Sequence, residues 1–253
     1  MQLIDTHCHI HESDYPLPVA DVLQHAADAG VFRMICVGTS EKSSEDAVKL
    51  AAQHDNLYAV VGVHPHDAKD GYGKIAGLTK QPKVIAIGEI GLDYYYNHSP
   101  REVQIAALEA QIQIALDNGL PIVFHVREAF DDFWPIFDNF QSAGWRIRGE
   151  LHSFTDTQAN LEKGFARGLL VGVNGISTFT KDPAQQRMYA TIPLDKMLLE
   201  TDAPFLTPTP YRGTINEPAF VSEVAKHHAA IRGLDPEAIA QATTANATTL
   251  FQL

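Results

Sequence analysis

The chain has 253 residues, of which 45% are hydrophobic and 20% are charged, as is typical of a globular protein with its own core. No stretch approaches the ~20 apolar residues that span a bilayer, and the opening MQLIDTHCHI does not resemble a signal peptide, so we exclude membrane, collagen-like and disordered classes. Two cysteines, Cys8 and Cys36, are too few for a disulfide framework of the secreted type. We therefore expect reduced thiols and a cytoplasmic location.

The charge balance is acidic. The chain has 31 Asp and Glu residues against 19 Lys and Arg residues, which gives a formal net charge of −12. Such a chain repels polyanions overall, so nucleic acid can bind only at a local cationic site. The chain also has 12 histidines, and their positions are more informative than their number.

Short apolar runs alternate with longer helical patterns from one end of the chain to the other. Most of these runs are continuously apolar, which is typical of parallel strands that are buried on both faces. The eight predicted strands are Leu3–His9, Arg33–Gly38, Leu57–Val63, Val84–Ile90, Pro121–Val126, Arg148–His152, Leu169–Val173 and Met197–Thr201.

The clearest predicted helix begins at Ser99. Serine suits the N-cap, Pro100 suits the first turn, and Glu102 completes a capping box, while Gly119 marks the end of the helix. Residues 235–237, Asp-Pro-Glu, predict the start of the last helix in the same way. Apolar residues recur at helical spacing in the first of these helices: Ile105, Leu108, Ile112 and Leu116.

Eight strand–helix units in 253 residues predict an α/β protein with a (β/α)8 TIM barrel fold, in one domain over residues 1–253. The alternative is a doubly wound open sheet. That fold would need a glycine-rich phosphate turn after the first strand. Residues 7–11 read His-Cys-His-Ile-His at this position, so the barrel is favoured.

Potential metal ligands recur where the predicted strands end. In a barrel the functional groups collect at the carboxyl ends of the strands, so we expect these side chains to converge. The first of them are His7 and His9. Residues two apart on a strand face the same side, so both histidines can bind one ion. The strand-end polar residues are His7, His9, His64, Glu89, His125, His152, Asn174 and Asp202.

Each of these residues also has a structural interpretation. A lone buried histidine is often hydrogen-bonded in a core, and Glu89, in an apolar strand, could pair with an inward arginine instead of a metal. Glu200 shares a strand face with Asp202 and is expected to support it. Asp93 and Tyr94 follow the fourth strand, where they could support a ligand, contact substrate or only pack.

The inventory of strand-end ligands exceeds the needs of one tetrahedral ion. Four imidazoles and two carboxylates suit a pair of divalent ions, and the mixture leaves Mg²⁺, Mn²⁺ and Zn²⁺ open. The expected metal ligands are His7, His9, Glu89, His125, His152 and Asp202.

Six motifs occur in a fixed order along the whole chain. They are DTHCH (Asp5–His9), GVHPH (Gly62–His66), GEIGLDY (Gly88–Tyr94), HVRE (His125–Glu128), ETDAPFL (Glu200–Leu206) and NEP (Asn216–Pro218). With these motifs the chain resembles the TatD-type metal-dependent deoxyribonucleases, a branch of the amidohydrolase-like barrels. The resemblance implies hydrolysis of DNA phosphodiester bonds through a metal-activated water, as a 3′–5′ exonuclease on single-stranded DNA.

The resemblance also implies residue roles. One ion would be held by His7, His9, Glu89 and Asp202, and the second by Glu89, His125 and His152. His64 would lie near the substrate phosphate, and Asp202 would also act as the general base. The expected catalytic residues are Asp202, Glu89 and His64, and the expected substrate contacts are His64, Arg127, Tyr94 and Arg212.

The chain departs from the family pattern at two loops. Asp156 adds a carboxylate after His152, and Thr214 and Ile215 stand where the family often has two basic residues. Both changes make the entrance less attractive to a polyanion. We expect single-stranded DNA ends as the partner, with no membrane and no obligate protein partner. The alternatives are hydrolysis of a small ester, lactone or amide, and a non-catalytic metal-binding scaffold.

Overall fold

The computed structural model describes all 253 residues. Strands and helices alternate along the chain, with short 3₁₀ turns at Ala68–Asp70, Leu194–Lys196 and Pro218–Phe220. The strands are β1 (Leu3–Cys8), β2 (Val31–Val37), β3 (Leu57–Val61), β4 (Val84–Asp93), β5 (Ile122–Arg127), β6 (Gly149–Leu151), β7 (Leu170–Val173) and β8 (Met197–Leu199). The helices are α1 (Val19–Asp28), α2 (Glu41–Ala51), α3 (Ile75–Leu78), α4 (Arg101–Asp117), α5 (Phe130–Ser142), α6 (Gln158–Ala166), α7 (Ile176–Phe179), α8 (Pro183–Thr191), α9 (Val221–Arg232) and α10 (Pro236–Phe251). None of these helices combines the length and the apolar character that a membrane crossing requires.

The eight strands form one sheet in the order of the chain, from β1 to β8. The strand pairs are parallel, and Cys8 at the end of β1 forms a further parallel bridge with Ala203, just beyond β8. This order confirms the predicted (β/α)8 barrel, because a doubly wound sheet would reverse its strand order at a central crevice. The single-domain boundaries over 1–253 stay a prediction.

The predicted strands are all present, but several of their ends are different. β1 ends at Cys8, and the His9 N–H bonds to the Ala203 carbonyl at 2.8 Å. β4 continues beyond the predicted Ile90 to Asp93, because its last residues stay paired with β5. The longer strand places Asp93 within the sheet instead of on a loop.

Two compact units can be distinguished within the chain. The first consists of residues 1–36, 153–166 and 170–253, and its core includes Leu3 and Leu198. The second consists of residues 37–152 and 167–169. Its core contains an aromatic cluster in which Phe124 meets Phe133 edge to face, with ring centroids 5.1 Å apart.

The predicted capping box at Ser99 is wrong. α4 begins at Arg101, and Pro100 occupies the N-cap position without a side-chain hydrogen bond. The Ser99 hydroxyl instead donates to the His66 carbonyl at 2.7 Å and accepts from the Lys69 N–H at 3.2 Å. The serine therefore joins two loops, because tertiary partners satisfy the hydroxyl that local sequence assigns to the helix.

Two buried glutamines on α4 bond to the backbone at the end of β4 and just beyond the end of β3. Gln104 accepts from the Asp93 N–H at 2.8 Å and donates to the Asp93 carbonyl at 3.1 Å. Gln111 makes the same pair of bonds with Val63, at 2.8 and 3.1 Å. The predicted apolar stripe is correct only in its middle, since Leu108 and Ile112 are buried whereas Ile105 and Leu116 are half-buried.

The N-cap predicted for the last helix is confirmed. The Asp235 carboxylate accepts from the Glu237 N–H at 2.9 Å, and Pro236 takes the first helical position. The helix that begins there, α10, packs against β1 and β8.

Gly91 in β4 allows close approach to β5. A Cβ at this position would lie 1.7 Å from the His125 carbonyl oxygen. We expect Gly91→Ala to separate the two strands and to lower the free energy of unfolding by about 1–3 kcal/mol, measured by urea denaturation. Gly77→Ala in α3 is the control, because nothing lies within 4 Å of its added Cβ. Equal stability of the two variants would contradict this account of Gly91.

His228 on α9 is buried as a neutral ring. Its Nε2 lies 3.1 Å from the Ser177 hydroxyl, which donates its own proton to the Asn174 carbonyl at 2.7 Å, so Nε2 carries the proton. Burial, reinforced by the nearby Arg232 charge, lowers the pKa of His228 from 6.5 to about 3. Folding therefore opposes protonation of this ring.

The shift makes stability fall in mild acid. The unfolded chain takes up a proton at His228 below pH 6.5 and the folded chain does not, so the stabilisation is complete above pH 6.5 and is lost towards pH 3. We expect this ring to lower the free energy of unfolding by about 2 kcal/mol between pH 7.5 and pH 5. In urea denaturation at both pH values, His228→Gln should remove that part of the pH dependence, whereas the partly exposed control His54→Gln should retain it. An unchanged slope in His228→Gln would refute the assignment.

Candidate metal centre

The Glu89 carboxylate lies among three imidazoles near the end of β4. Its Oε1 is 2.8 Å from His125 Nδ1, 3.6 Å from His64 Nε2 and 3.9 Å from His152 Nε2. The Glu89 side chain is buried, and a buried carboxylate is costly unless charge or metal compensates it. Ligand atoms of His64, Glu89 and His125 all lie within 4.8 Å of one another. Imidazole nitrogens and a carboxylate oxygen at this spacing fit a divalent ion.

His125 lies between two carboxylates. Its Nδ1 contacts Glu89, and its Nε2 is 3.0 Å from Asp93 Oδ2. Burial lowers the pKa of His125, but hydrogen bonds and attraction from Asp93 and Glu89 outweigh burial, and the net shift is upward. The surroundings therefore favour positive charge at this point. With Nε2 donating to Asp93, Nδ1 is the nitrogen that remains for a metal beside Glu89.

His64 is a neutral ring with an assignable proton. Burial, together with repulsion from His125, lowers the pKa of His64 well below its ordinary value. Its Nδ1 accepts from the His66 N–H at 3.2 Å, so the proton of the neutral ring lies on Nε2, on the side of Glu89. His64 therefore presents an N–H donor.

Asp93 fixes two histidine rings at once. Its Oδ2 accepts from His66 Nε2 at 2.9 Å and from His125 Nε2 at 3.0 Å. Burial raises the pKa of Asp93, but hydrogen bonds from His125 and His66 outweigh it and hold that pKa well below its usual range. Gln104 in turn holds the Asp93 backbone. Several roles were open for Asp93 from the sequence. No role was predicted for His66 or Gln104, because their partners lie on other elements.

A second group of predicted ligands lies in the other unit, where β1 and β8 end. His7 Nε2 and His9 Nε2 are 3.2 Å apart, which confirms that the two side chains point to the same side. Asp202 Oδ1 lies 3.3 Å from His9 Nε2 and 3.8 Å from His7 Nε2. Asp202 has φ of +59° in the left-handed region, which aspartate tolerates better than most residues. The three residues offer two nitrogens and a carboxylate to a cation.

Asp5 organises the backbone of that group. This buried carboxylate accepts from the Thr201 N–H at 2.9 Å, from the Thr201 hydroxyl at 2.6 Å and from the His7 N–H at 3.3 Å. Burial raises the pKa of Asp5 well above its ordinary value, although the same hydrogen bonds oppose the shift. The residue before Asp202 is thereby tied to the strand that carries His7. The Asp202 N–H bonds directly to the His7 carbonyl at 2.8 Å.

Glu200 supports the turn at Ser153, whereas its expected support of Asp202 stays a prediction. Its Oε1 accepts from the Ser153 N–H at 2.8 Å and from Asn174 Nδ2 at 3.0 Å. Ser153 follows the predicted ligand His152 and has φ of +48°, so this bond stabilises an unusual backbone conformation. Gly172 leaves room for the carboxylate, since a Cβ there would lie 2.1 Å from Glu200 Oε2.

The predicted substrate contacts differ in their exposure and in their contacts within the protein. Arg127, which ends β5, is exposed and lies over the Tyr95 and Tyr96 rings. Tyr94 donates to Asp132 Oδ2 at 2.6 Å. Arg212 lies over Phe179 and donates to the Thr207 carbonyl at 2.8 Å. The substrate roles of Arg127, Tyr94 and Arg212 stay predictions.

One further group of possible ligands was not predicted from the sequence. Ligand atoms of His9, His11 and Glu12 lie within 4.8 Å of one another. His11 Nε2 is 3.3 Å from Glu12 Oε1, and the Glu12 N–H bonds to the His9 carbonyl at 3.1 Å in a tight turn. The continuation of the His-x-His alternation to His11 was the available signal.

Comparisons with known proteins found a matching family and similar sequences. The family model described as TatD related DNase matches residues 4–252. An uncharacterized metal-dependent hydrolase of Bacillus subtilis, YabD, is 34% identical over 255 residues and covers 99% of each chain. A Salmonella typhimurium protein named 3′-5′ ssDNA/RNA exonuclease TatD is 34% identical over 262 residues, again with 99% of each chain covered.

A solved structure has the same fold. The TatD homologue YJJV of Escherichia coli K12 superposes with a TM-score of 0.90 at 29% identity, over 99% of this chain and 98% of that one. The chain has the parallel barrel of these proteins, together with clusters of histidine and carboxylate side chains that can bind metal. The chain therefore belongs to the TatD family of metal-dependent hydrolases.

Proposed function

We propose that this protein is a divalent-metal-dependent deoxyribonuclease that removes nucleotides from the 3′ end of single-stranded DNA. The observation that carries the proposal is the Glu89 carboxylate, buried within 2.8–3.9 Å of three imidazoles. The relative from Salmonella with the exonuclease name supports the choice of substrate. The cytoplasmic location stays a prediction.

The ligands that the family resemblance implies would hold two divalent ions, Mg²⁺, Mn²⁺ or Zn²⁺. Bound there, the ions would supply a more acidic water and neutralise phosphate charge. Glu89 would serve both ions, because its carboxylate has two oxygens. The proposed ligands are His7, His9, Glu89 and Asp202 for one ion, and Glu89, His125 and His152 for the other.

Two further residues would take part in proton transfer or hydrogen bonding during the reaction. Asp202 is the proposed general base, since its carboxylate is partly exposed and lies beside His7 and His9. His64 is the proposed donor to a phosphate oxygen, because its accepting Nδ1 leaves the proton on Nε2. A neutral donor remains available throughout the neutral pH range, since burial holds the pKa of His64 low.

A second candidate function is hydrolysis of a small ester, lactone or amide at the same centre. The acidic composition favours it, as does the 205–215 loop. There Phe205 and Ile215 are exposed, and the Phe205 ring lies 6.5 Å from that of His9. An apolar side chain beside His9, a proposed metal ligand, suits a small apolar substrate better than a polyanion.

The test is nucleotide release from a single-stranded DNA oligonucleotide labelled at its 3′ end or at its 5′ end, with Mg²⁺ or Mn²⁺. We expect early release of the 3′ label, a shortening ladder from the 5′ label, and no reaction in EDTA or with Asp202→Asn. Metal-loaded protein that leaves both strands intact would refute the nuclease proposal. Turnover of p-nitrophenyl esters by the same preparation would then favour the small-substrate alternative.

A further inference from the structure

We propose that Tyr95, Tyr96 and Arg127 form a stacking subsite that holds the unpaired bases of a single-stranded nucleic acid beside the metal centre. This inference deepens the proposed nuclease function and rests on it. It identifies the part of this chain that selects an unpaired strand.

The two tyrosines are exposed aromatic rings. Tyr95 is 54% exposed and Tyr96 is 51% exposed, although large aromatic side chains are normally buried. Their rings meet edge to face with centroids 4.8 Å apart. Such a pair offers π surface to a base without any preference for its identity.

Arg127 adds an available cation to this surface. Its guanidinium carbon lies 4.2 Å from the Tyr95 ring centroid and 4.9 Å from that of Tyr96. Arg101 and Arg167 form salt bridges with aspartates, but Arg127 forms none. An unpaired guanidinium in a chain of net charge −12 is a local site for a phosphate.

A single carboxylate links the two rings to the metal centre. Asp93 Oδ1 accepts from the Tyr95 N–H at 3.0 Å and from the Tyr96 N–H at 2.9 Å. The other oxygen of Asp93 contacts His125, the proposed ligand. The loop that carries the tyrosines is therefore fixed by the same group that orients the ligand, which keeps stacked bases in register with the scissile phosphate.

Neighbouring rings further restrict Tyr96. It lies parallel to His98, with centroids 5.8 Å apart and planes at 5°, and meets His66 edge to face at 5.4 Å. Tyr94 differs from its two neighbours, because it is only half-exposed and its hydroxyl donates to Asp132 Oδ2 at 2.6 Å. Base stacking therefore falls to Tyr95 and Tyr96.

The test compares two strands of the same length and charge. Both are fluorescein-labelled ten-nucleotide strands with hydrolysis-resistant phosphorothioate linkages, one with bases and one abasic in its last three nucleotides. Fluorescence anisotropy gives their Kd values for the metal-loaded protein. We expect the base-carrying strand to bind about 10-fold more tightly, since each stacked base contributes substantially.

The variants assign the preference to these side chains. The double variant Tyr95→Ala/Tyr96→Ala should lose the preference, whereas Tyr95→Phe/Tyr96→Phe should keep it because the rings remain. Trp145→Ala, which removes another exposed aromatic ring, should also keep it. Arg127→Gln should weaken the binding of both strands. It should also reduce the slope of log Kd against log salt concentration by about 0.7.

The outcomes separate this inference from the proposed function. Equal binding of the two strands by the wild-type protein, or an undiminished preference in the double alanine variant, would overturn the subsite. A base preference that disappears in that variant would uphold the subsite even if the protein hydrolysed no DNA, and only the nuclease proposal would then fail.

Discussion

Glu89→Gln is expected to abolish metal-dependent hydrolysis, with a fall in kcat/KM of at least about 10³-fold. The carboxylate is buried among three imidazoles, and in the proposed assignment it is common to both ions. An amide of the same shape removes the negative charge and replaces one acceptor oxygen with a donor. The purified variant should also retain less metal, which elemental analysis by plasma mass spectrometry would measure.

Glu109→Gln is the matched control for this prediction. Glu109 lies on α4 in the same unit, and it is an exposed glutamate. The same chemical change there should leave metal content and hydrolysis within about 2-fold of wild type, as is usual for an exposed position away from the site. A Glu89→Gln protein that keeps its metal and more than a tenth of its activity would remove Glu89 from the proposed centre.

Asp93→Asn is expected to weaken metal binding by about 10–100-fold, although Asp93 is not a proposed ligand. Its Oδ2 accepts hydrogen bonds from both His66 and His125. An asparagine side chain has one acceptor oxygen, so the amide group would face either the tyrosine N–H groups or the histidine rings. With the amide group towards the histidines, the His125 ring would lose the partner that keeps its proton on Nε2. In the other orientation that partner would be a neutral oxygen instead of a charged one.

The measurement is the concentration of Mn²⁺ that restores half of the activity to metal-stripped protein. Asp131→Asn, at an exposed position in the same unit, provides the control and should match wild type. If Asp93→Asn required no more Mn²⁺ than Asp131→Asn, the orientation of His125 by Asp93 would not matter for metal binding.

The barrel was predictable because its signal repeats. Each apolar run is bounded by helical periodicity, and a parallel strand buried on both faces needs no alternation. The ends of the elements were less predictable, since they depend on tertiary partners. β4 reaches Asp93 only because β5 continues to pair with it, and Ser99 bonds to the loop at His66 instead of capping α4.

For the candidate site, as for the fold, only the features that follow from the repeating pattern were predictable. The grouping of possible ligands at strand ends, such as Glu89 and His125, follows from topology, because the carboxyl ends of parallel strands meet at one edge. The groups that position them do not follow from topology. Gln104 holds Asp93 from a helix, and a periodicity argument treats a glutamine on that helix as solvent-facing. Hydrogen bonds between distant elements are invisible until the fold brings those elements together.

We propose that metal bound by these residues makes this hydrolase act on phosphodiester bonds. The most direct test of this claim is to strip the protein with EDTA, add Mn²⁺ stepwise, and follow both the bound metal and the hydrolysis of a single-stranded DNA oligonucleotide in the same samples. The account predicts no hydrolysis without metal, and activity that rises as two ions bind per chain. Undiminished hydrolysis by the metal-free protein, or a fully loaded protein that cleaves no phosphodiester bond, would contradict it.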